Sequence, residues 1–433
     1  MKKKYLNVLA YAMIVSMSAI SLSACSDDDD NDNGGNGGNG GNNGDGTEIV
    51  MEDGAELQGT VEDGQIVVLS AGNSYTLSGG YAIKNGGELR IEEGVTIEAI
   101  YDDQVATFIL VEQGGKIDAQ GTAEAPIIMT SNVKEPGSWG GIHICGYSHT
   151  NRGEGTMSEI GNAPYGGDQE DDNSGTLRYI RLEYTGYAFD EEHESNGVSF
   201  YGVGSGTTVE YLQAYKGADD GFEFFGGSVN AKYLVVTDCE DDSFDWTEGW
   251  NGKAQFLVAT QVGTTGATDA DGDCLIEADN QDVNPNATPC SFPTLSNLTL
   301  IGNNSSAAAR GIRLRAGTHV QIYNAIVTGK PKCLTTATEG TENSLLKGES
   351  ILNYMTLATD ITCEEDIYSS ALFTATDNHN EINATIPNFS NVFVGTIADG
   401  YDLSAEDDFF TAAAYRGAVE ADDDWTAGWA VKE

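Results

Sequence analysis

The sequence predicts an all-β, single-domain parallel β-helix, a solenoid of stacked coils, from three observations. The first is a repeat. "GADDGFEFFGG", residues 217–227, sets Asp219, Asp220 and Glu223 among glycines and phenylalanines, and "DDSFDWTEG", residues 241–249, does the same with Asp241, Asp242 and Asp245. In that register Phe222 falls on Phe244, Glu223 on Asp245 and Phe224 on Trp246. Val198, Ser199 and Phe200 share these columns 24 residues earlier; Ile276, Glu277 and Ala278, then Ile312, Arg313 and Leu314, follow after steps of 32 and 36. The second observation is another column, Tyr179, Tyr211, Tyr233 and Phe256, each followed by an aliphatic residue. The third is strand-like alternation broken by Gly, Asn and Asp turns, with no helical period sustained over about a dozen residues. Equivalent side chains of such coils stack about 4.7–4.8 Å apart, so inward columns build the core and outward columns become lines on one face.

The elements follow in chain order. Residues 1–25 stand outside the fold: Lys2, Lys3 and Lys4 precede an apolar run ending in "LSAC", residues 22–25, which reads as a secretory signal. "LSAC" resembles the lipobox of bacterial lipoproteins, which implies lipidation of Cys25 after cleavage. "SDDDD", residues 26–30, resembles the surface-export signal of Bacteroidetes lipoproteins. With "NDNGGNGGNGGNNGDG" it completes an acidic, Gly/Asn-rich tether over residues 26–46. A flexible coil of the Gly/Asn stretch spans roughly 20–25 Å. Residues 47–433 are the expected β-helix domain, in which each coil need contact only its neighbours. No later apolar run approaches the ~20 residues that a membrane-spanning helix needs.

Composition narrows the partners. The chain carries 21 Lys+Arg against 68 Asp+Glu, a net charge of −47, which argues against nucleic acid, anionic membrane surfaces and unshielded polyanions. With 39% hydrophobic residues it can still bury a large core. Apart from Cys25, six cysteines remain: Cys145, Cys239, Cys274, Cys290, Cys333 and Cys363. An exported chain meets oxidising conditions, so disulfides are expected, with Cys274–Cys290 and Cys333–Cys363 as the local pairings and Cys145 with Cys239 left over. No CxxC is present, so a zinc site is not expected.

The stretches "GGELRIEEGVTIEA", "GGKIDAQGTAEAPIIMTS", "GSWGGIHICG", "ADDGFEFFGGSVNAKYLVV", "DDSFDWTEGWNGKAQFLV", "IEADN", "SFPTLSNLTLIGN" and "DDDWTAGWA" resemble a family of exported bacterial proteins common in Bacteroidetes and sometimes labelled multidrug transporters. The resemblance covers about residues 70–433 and implies a right-handed β-helix. It implies no established reaction, and the transporter label does not fit a chain without a membrane-spanning helical segment.

The repeat also predicts a site. One outward column reads Ser199, Glu223, Asp245, Glu277 and Arg313; beside it run Asp219, Asp241 and Asp273, then Asn196, Asp220 and Asp242. Two unit charges ~4.8 Å apart repel by about 1 kcal/mol in water and about 3.5 kcal/mol at an effective dielectric near 20. Such a cluster calls for a cation, for protonation, or for Arg313 and Arg315 as counter-charges. Oxygen-only ligands on a rigid extracellular frame suit Ca²⁺, giving Asp219, Asp220, Glu223, Asp241, Asp242, Asp245, Asp273 and Glu277 as candidate metal ligands. The competing readings are a solvated acidic turn region and catalytic carboxylates. "DADGDC", residues 269–274, departs from the EF-hand pattern in its glycine position and lacks the closing Glu; Asp269, Asp271 and Asp273 remain candidates for an extra ligand.

Catalysis is the alternative class. Carboxylates on adjacent rungs would sit near the ~5–5.5 Å of retaining glycosidases, and those two rungs apart near the inverting range. A polysaccharide lyase would use Arg313 as base with Ca²⁺ offsetting an acidic substrate. "GADDG" faintly resembles the Asp pair of polygalacturonase-like hydrolases, whose His-Gly and Arg-Ile-Lys motifs are absent here. None of the five histidines neighbours the ladder in sequence, and no catalytic residue is assigned. Trp250 and Trp139, in glycine-rich turns, either pack into the core or the turns or offer stacking faces to a sugar or aromatic ligand. The expectation is thus a lipid-anchored, cell-surface, outer-membrane lipoprotein that captures a glycan or small molecule. Ca²⁺ would stabilise it, Arg313, Arg315 and Trp250 would face the ligand, and an outer-membrane transporter would be its partner. A lyase or glycoside hydrolase using the same ladder is the alternative.

Overall fold

Successive turns of the chain lay each strand beside its equivalent in the turn before, and 25 strands join into one continuous sheet system. The computed structural model describes residues 46–153, 155–189, 193–261, 274–303 and 310–432. Strands Val198–Tyr201, Phe222–Phe225, Phe244–Thr247, Ile276–Ala278 and Arg310–Leu314 stack in parallel, in the register read from the sequence. Alternation along each strand turns Phe222, Phe224, Phe244 and Trp246 into the core, where Phe200 stacks on Phe224 at 5.0 Å and Phe222 on Phe244 at 6.0 Å. The molecule is a right-handed parallel β-helix.

A second row of strands, including Gly175–Glu183, Thr208–Tyr215, Asn230–Thr237 and Lys253–Thr260, bends at one left-handed residue per coil. Those residues are Tyr179, Tyr211, Tyr233 and Phe256, with φ between 50° and 62°. The bend splits the strand between two faces: Thr176–Arg178 pair with Ile117's strand below, and Ile180–Leu182 with Ile127's. Left-handed backbone costs a side-chain-bearing residue roughly 1–2 kcal/mol. Here the rings of Tyr179, Tyr211 and Tyr233 stack at 4.3 Å, with Phe256 next at 4.9 Å.

This column is therefore a corner stack and not an interior one. Its outer side is covered by the C-terminal segment, with Trp429 edge-on to Tyr179 at 5.7 Å and Trp425 edge-on to Tyr233 at 5.1 Å. Side-chain amides fasten that strap. Gln213 exchanges two hydrogen bonds with the backbone of Val431, Gln255 with Thr411, and Asn324 with Tyr401, while Asn297 donates to the Tyr415 carbonyl.

The cysteines correct the expected pairings: among the described residues Cys145, Cys239, Cys290, Cys333 and Cys363 are free thiols, so none of the three expected bridges forms. Cys333 turns into the hydrophobic core, whereas Cys363 lies in register with Thr336, three residues further along that strand. Cys274 is buried beneath Glu277, while the Cys290 thiol faces the Ser291 and Gly317 carbonyls. Burial pushes the Cys145 and Cys239 thiols up to about 12.

Candidate functional site

The ladder forms because strand alternation points Glu223, Asp245, Glu277 and Arg313 away from the core while cross-coil pairing sets them side by side. It continues below to Ser199 and His143, and above to Thr335. Arginines neutralise only its upper end. Arg313 and Arg315 approach Glu277 at 2.8 and 2.7 Å, and Arg315 also donates to Asp279 at 2.8 Å. Glu223 receives one hydrogen bond from the Asn196 amide at 2.6 Å. Asp245 Oδ1, closed off from solvent, accepts none.

The flanking aspartates are buried, unlike the open face expected for the outward columns. Asp219, Asp220 and Asp242 are 8% exposed or less, while Asp241 is exposed. One carboxylate oxygen of each accepts a backbone N–H: Asp219 from its neighbour Asp220 and, across coils, Asp220 from Asp242 and Asp242 from Cys274. The two cross-coil bonds tie one coil to the next and are not the Asx-turn bonds of a solvated turn region. Carboxylate oxygens come within 4.8 Å of one another in Asp219–Asp220–Asp241 and in Asp220–Glu223–Asp245. Asp242 and Glu277 form a third such group with the Cys274 sulfur. Burial first, then repulsion from neighbouring carboxylates, holds Asp219, Asp220, Glu223, Asp242 and Asp245 well above the usual carboxylate range. Asp273 lies outside the described residues.

A cleft of about 190 Å³ opens along this wall, bordered by Glu223, Asp245, Asp279 and Arg315 on the coils. Its other side was not foreseen from the sequence. The excursion between strands Ile142–Cys145 and Gly175–Glu183 folds back as a flap, packing Ala163 and Tyr165 over Tyr201 and Phe225. One carboxylate pins it. Glu248, 3% exposed and held at φ 58°, accepts from Tyr165 Oη at 2.7 Å and Thr150 Oγ1 at 2.9 Å, with Arg152 at 3.3 Å. Asp279 is pushed up to about 7, mainly by burial, with the Arg315 guanidinium opposing.

Trp250 does not face a ligand. It is 1% exposed, its ring stacks on Phe224 at 4.2 Å and its indole N–H donates to the Val229 carbonyl, so the glycines around it serve close packing. Trp139 is likewise buried, donating to the Glu183 carbonyl. Arg315 reaches the cleft, whereas Arg313 is committed to Glu277. Sequence reasoning missed His143, which sits in the ladder column next to Ser199, buried and neutral, its pKa lowered to about 4 by burial.

A family model described as a pectate-lyase like beta helix domain matches residues 59–430. The chain belongs to that family. Membership of this pectate-lyase-like family suggests a carbohydrate-related role, and the match spans the ladder, the cleft, the flap and nearly all of the C-terminal strap. Comparison with curated proteins and with solved structures returns no match.

Proposed function

We propose that this pectate-lyase-like β-helix is a glycan- or ligand-binding module of a lipid-anchored surface protein, with Ca²⁺ held by the carboxylate ladder. One observation carries the metal reading: carboxylates of buried and half-buried side chains, with the exposed Asp241, lie within 4.8 Å of one another in two groups that share Asp220, and Arg313 and Arg315 sit at the Glu277 end. Asp220, Glu223 and Asp245 offer an all-oxygen set, as do Asp219, Asp220 and Asp241, which is the donor chemistry a hard cation takes. The third group contains a thiol and fits calcium less well. Anchoring through Cys25, surface export through "SDDDD" and an outer-membrane transporter as partner complete the reading and rest on the leader sequence and the class of protein.

The test is a thermal melt. A cation bound only by the folded state, at a hundredfold excess over its Kd, adds about 2.7 kcal/mol. Calcium is expected to raise the melting temperature and chelator to lower it. Glu223→Gln with Asp245→Asn is expected to erase that response while leaving the calcium-free protein no less stable. Identical wild-type melts in calcium and in chelator would remove the metal from this proposal.

A second reading, a lyase or glycoside hydrolase using the carboxylate ladder, is favoured by a residue beside that ladder: Asp279, raised to about 7 at the cleft, stands where a proton is exchanged near neutral pH. Release of reducing or unsaturated sugar ends from a glycan panel, lost in Asp279→Asn, separates the enzyme from the binding module.

A further inference from the structure

The ionisable groups of the cleft are mostly carboxyls, and each of its arginines already has a carboxyl partner. Its lining brings Glu223, Asp245, Glu248, Asp279 and Asp282 against only Arg152 and Arg315. Arg315 bonds Glu277 and Asp279, and Arg152 lies against Glu248. Behind the lining stand Asp219, Asp220 and Asp242, so a single divalent cation leaves the region acidic.

One further feature points to what is missing. Asp245 Oδ1, sealed from solvent on the cleft wall, has no donor. Buried polar atoms without partners are uncommon, and an orphaned carboxylate oxygen lacks a donor and not an acceptor. At the cleft mouth Val283 is 88% exposed, an apolar contact for a ring edge. Phe225, the cleft's aromatic residue, is 5% exposed and gives no open stacking face. A volume of about 190 Å³ is below the ~300–1,000 Å³ of ordinary small-molecule pockets, so one ring or a terminal group fits.

We propose that the cleft takes a sugar unit carrying a protonated amine, so that its glycan is an aminoglycan and not a polyuronate. The proposal rests on the carbohydrate reading above and specifies its substrate class. An ammonium group brings three donors and a positive charge to a wall of acceptors, making charge-assisted hydrogen bonds. A uronate would bring another carboxylate into the same space with no uncommitted guanidinium to meet it.

Calorimetric titration of the residue 47–433 unit with glucosamine trimer, its N-acetylated counterpart and trigalacturonate tests this, in calcium and in chelator, at low and high salt. The glucosamine trimer is expected to bind at least tenfold more tightly than the N-acetylated one, and added salt is expected to narrow the gap. Trigalacturonate is expected to show no saturable binding. Asp282→Asn, at an exposed position, should lower the amine preference several-fold in a protein with unchanged melting. Trigalacturonate binding as tightly as the glucosamine trimer, or no saturable binding of the amine, overturns the proposal. A calcium-dependent melt that survives such a result leaves the metal reading standing and removes only the substrate class.

Discussion

Trp250 and Glu248 show how two residues in one turn divide structure from site. Trp250 lies between glycines, a context suggesting an exposed ring, yet its neighbour in space is Phe224 of the preceding coil. Trp250→Ala should therefore cost about 3–5 kcal/mol of stability through the cavity it leaves. Urea unfolding reads that cost, and a loss of ligand binding at unchanged stability would contradict the core placement. Glu248 does the opposite: buried and in a left-handed conformation, it joins the flap to the coils. Glu248→Gln keeps the shape and weakens the ion pair and hydrogen bonds, so trypsin should cut after Arg152 faster than in wild type. The chain has only 21 Lys+Arg, which keeps that fragment pattern readable.

At the scale of the element, the columns were legible and the covers were not. Ser199, Glu223, Asp245, Glu277 and Arg313 could be aligned because flanking aromatic and aliphatic residues repeat with them, and the observed register is the same. His143 was lost because 56 residues separate it from its rung partner Ser199, and the flap between them carries no period. The flap's contacts, such as Thr150 and Tyr165 with Glu248, span 98 and 83 residues, and no local pattern encodes them. The strap is similar: "DDDWTAGWA" is recognisable, but its seat on the tyrosine corner follows from side-chain amides on four separate coils. Trp425→Ala with Trp429→Ala should expose that stack and lower the melting temperature. Hydrogen exchange should then rise first in strands Thr208–Tyr215 and Asn230–Thr237. Uniform exchange across all coils would mean that the strap adds nothing local.

For the whole molecule, buried carboxylates couple folding to protons. Asp279, held near 7, and the five ladder and turn carboxylates, held higher than usual, bind protons more tightly in the folded chain than in the unfolded one. The folded state thus carries more protons between the unfolded carboxylate range, about pH 4, and the raised folded values. Stability falls as pH rises through that window. Calcium-free protein should melt higher at pH 5 than at pH 8, and calcium should flatten the slope by replacing protons with a cation. A calcium-free melt that climbs with pH would show that these groups are ionised and compensated in the fold.

Five free cysteines carry a different consequence. Cys145, Cys239, Cys290, Cys333 and Cys363 are spread along the described coils, and the first, second and fourth of them are buried. Each buried sulfur is thus a built-in reporter of opening in its own part of the stack. Timed alkylation under partial denaturation, followed by mass mapping, would record the order in which the solenoid unzips, without adding a single probe.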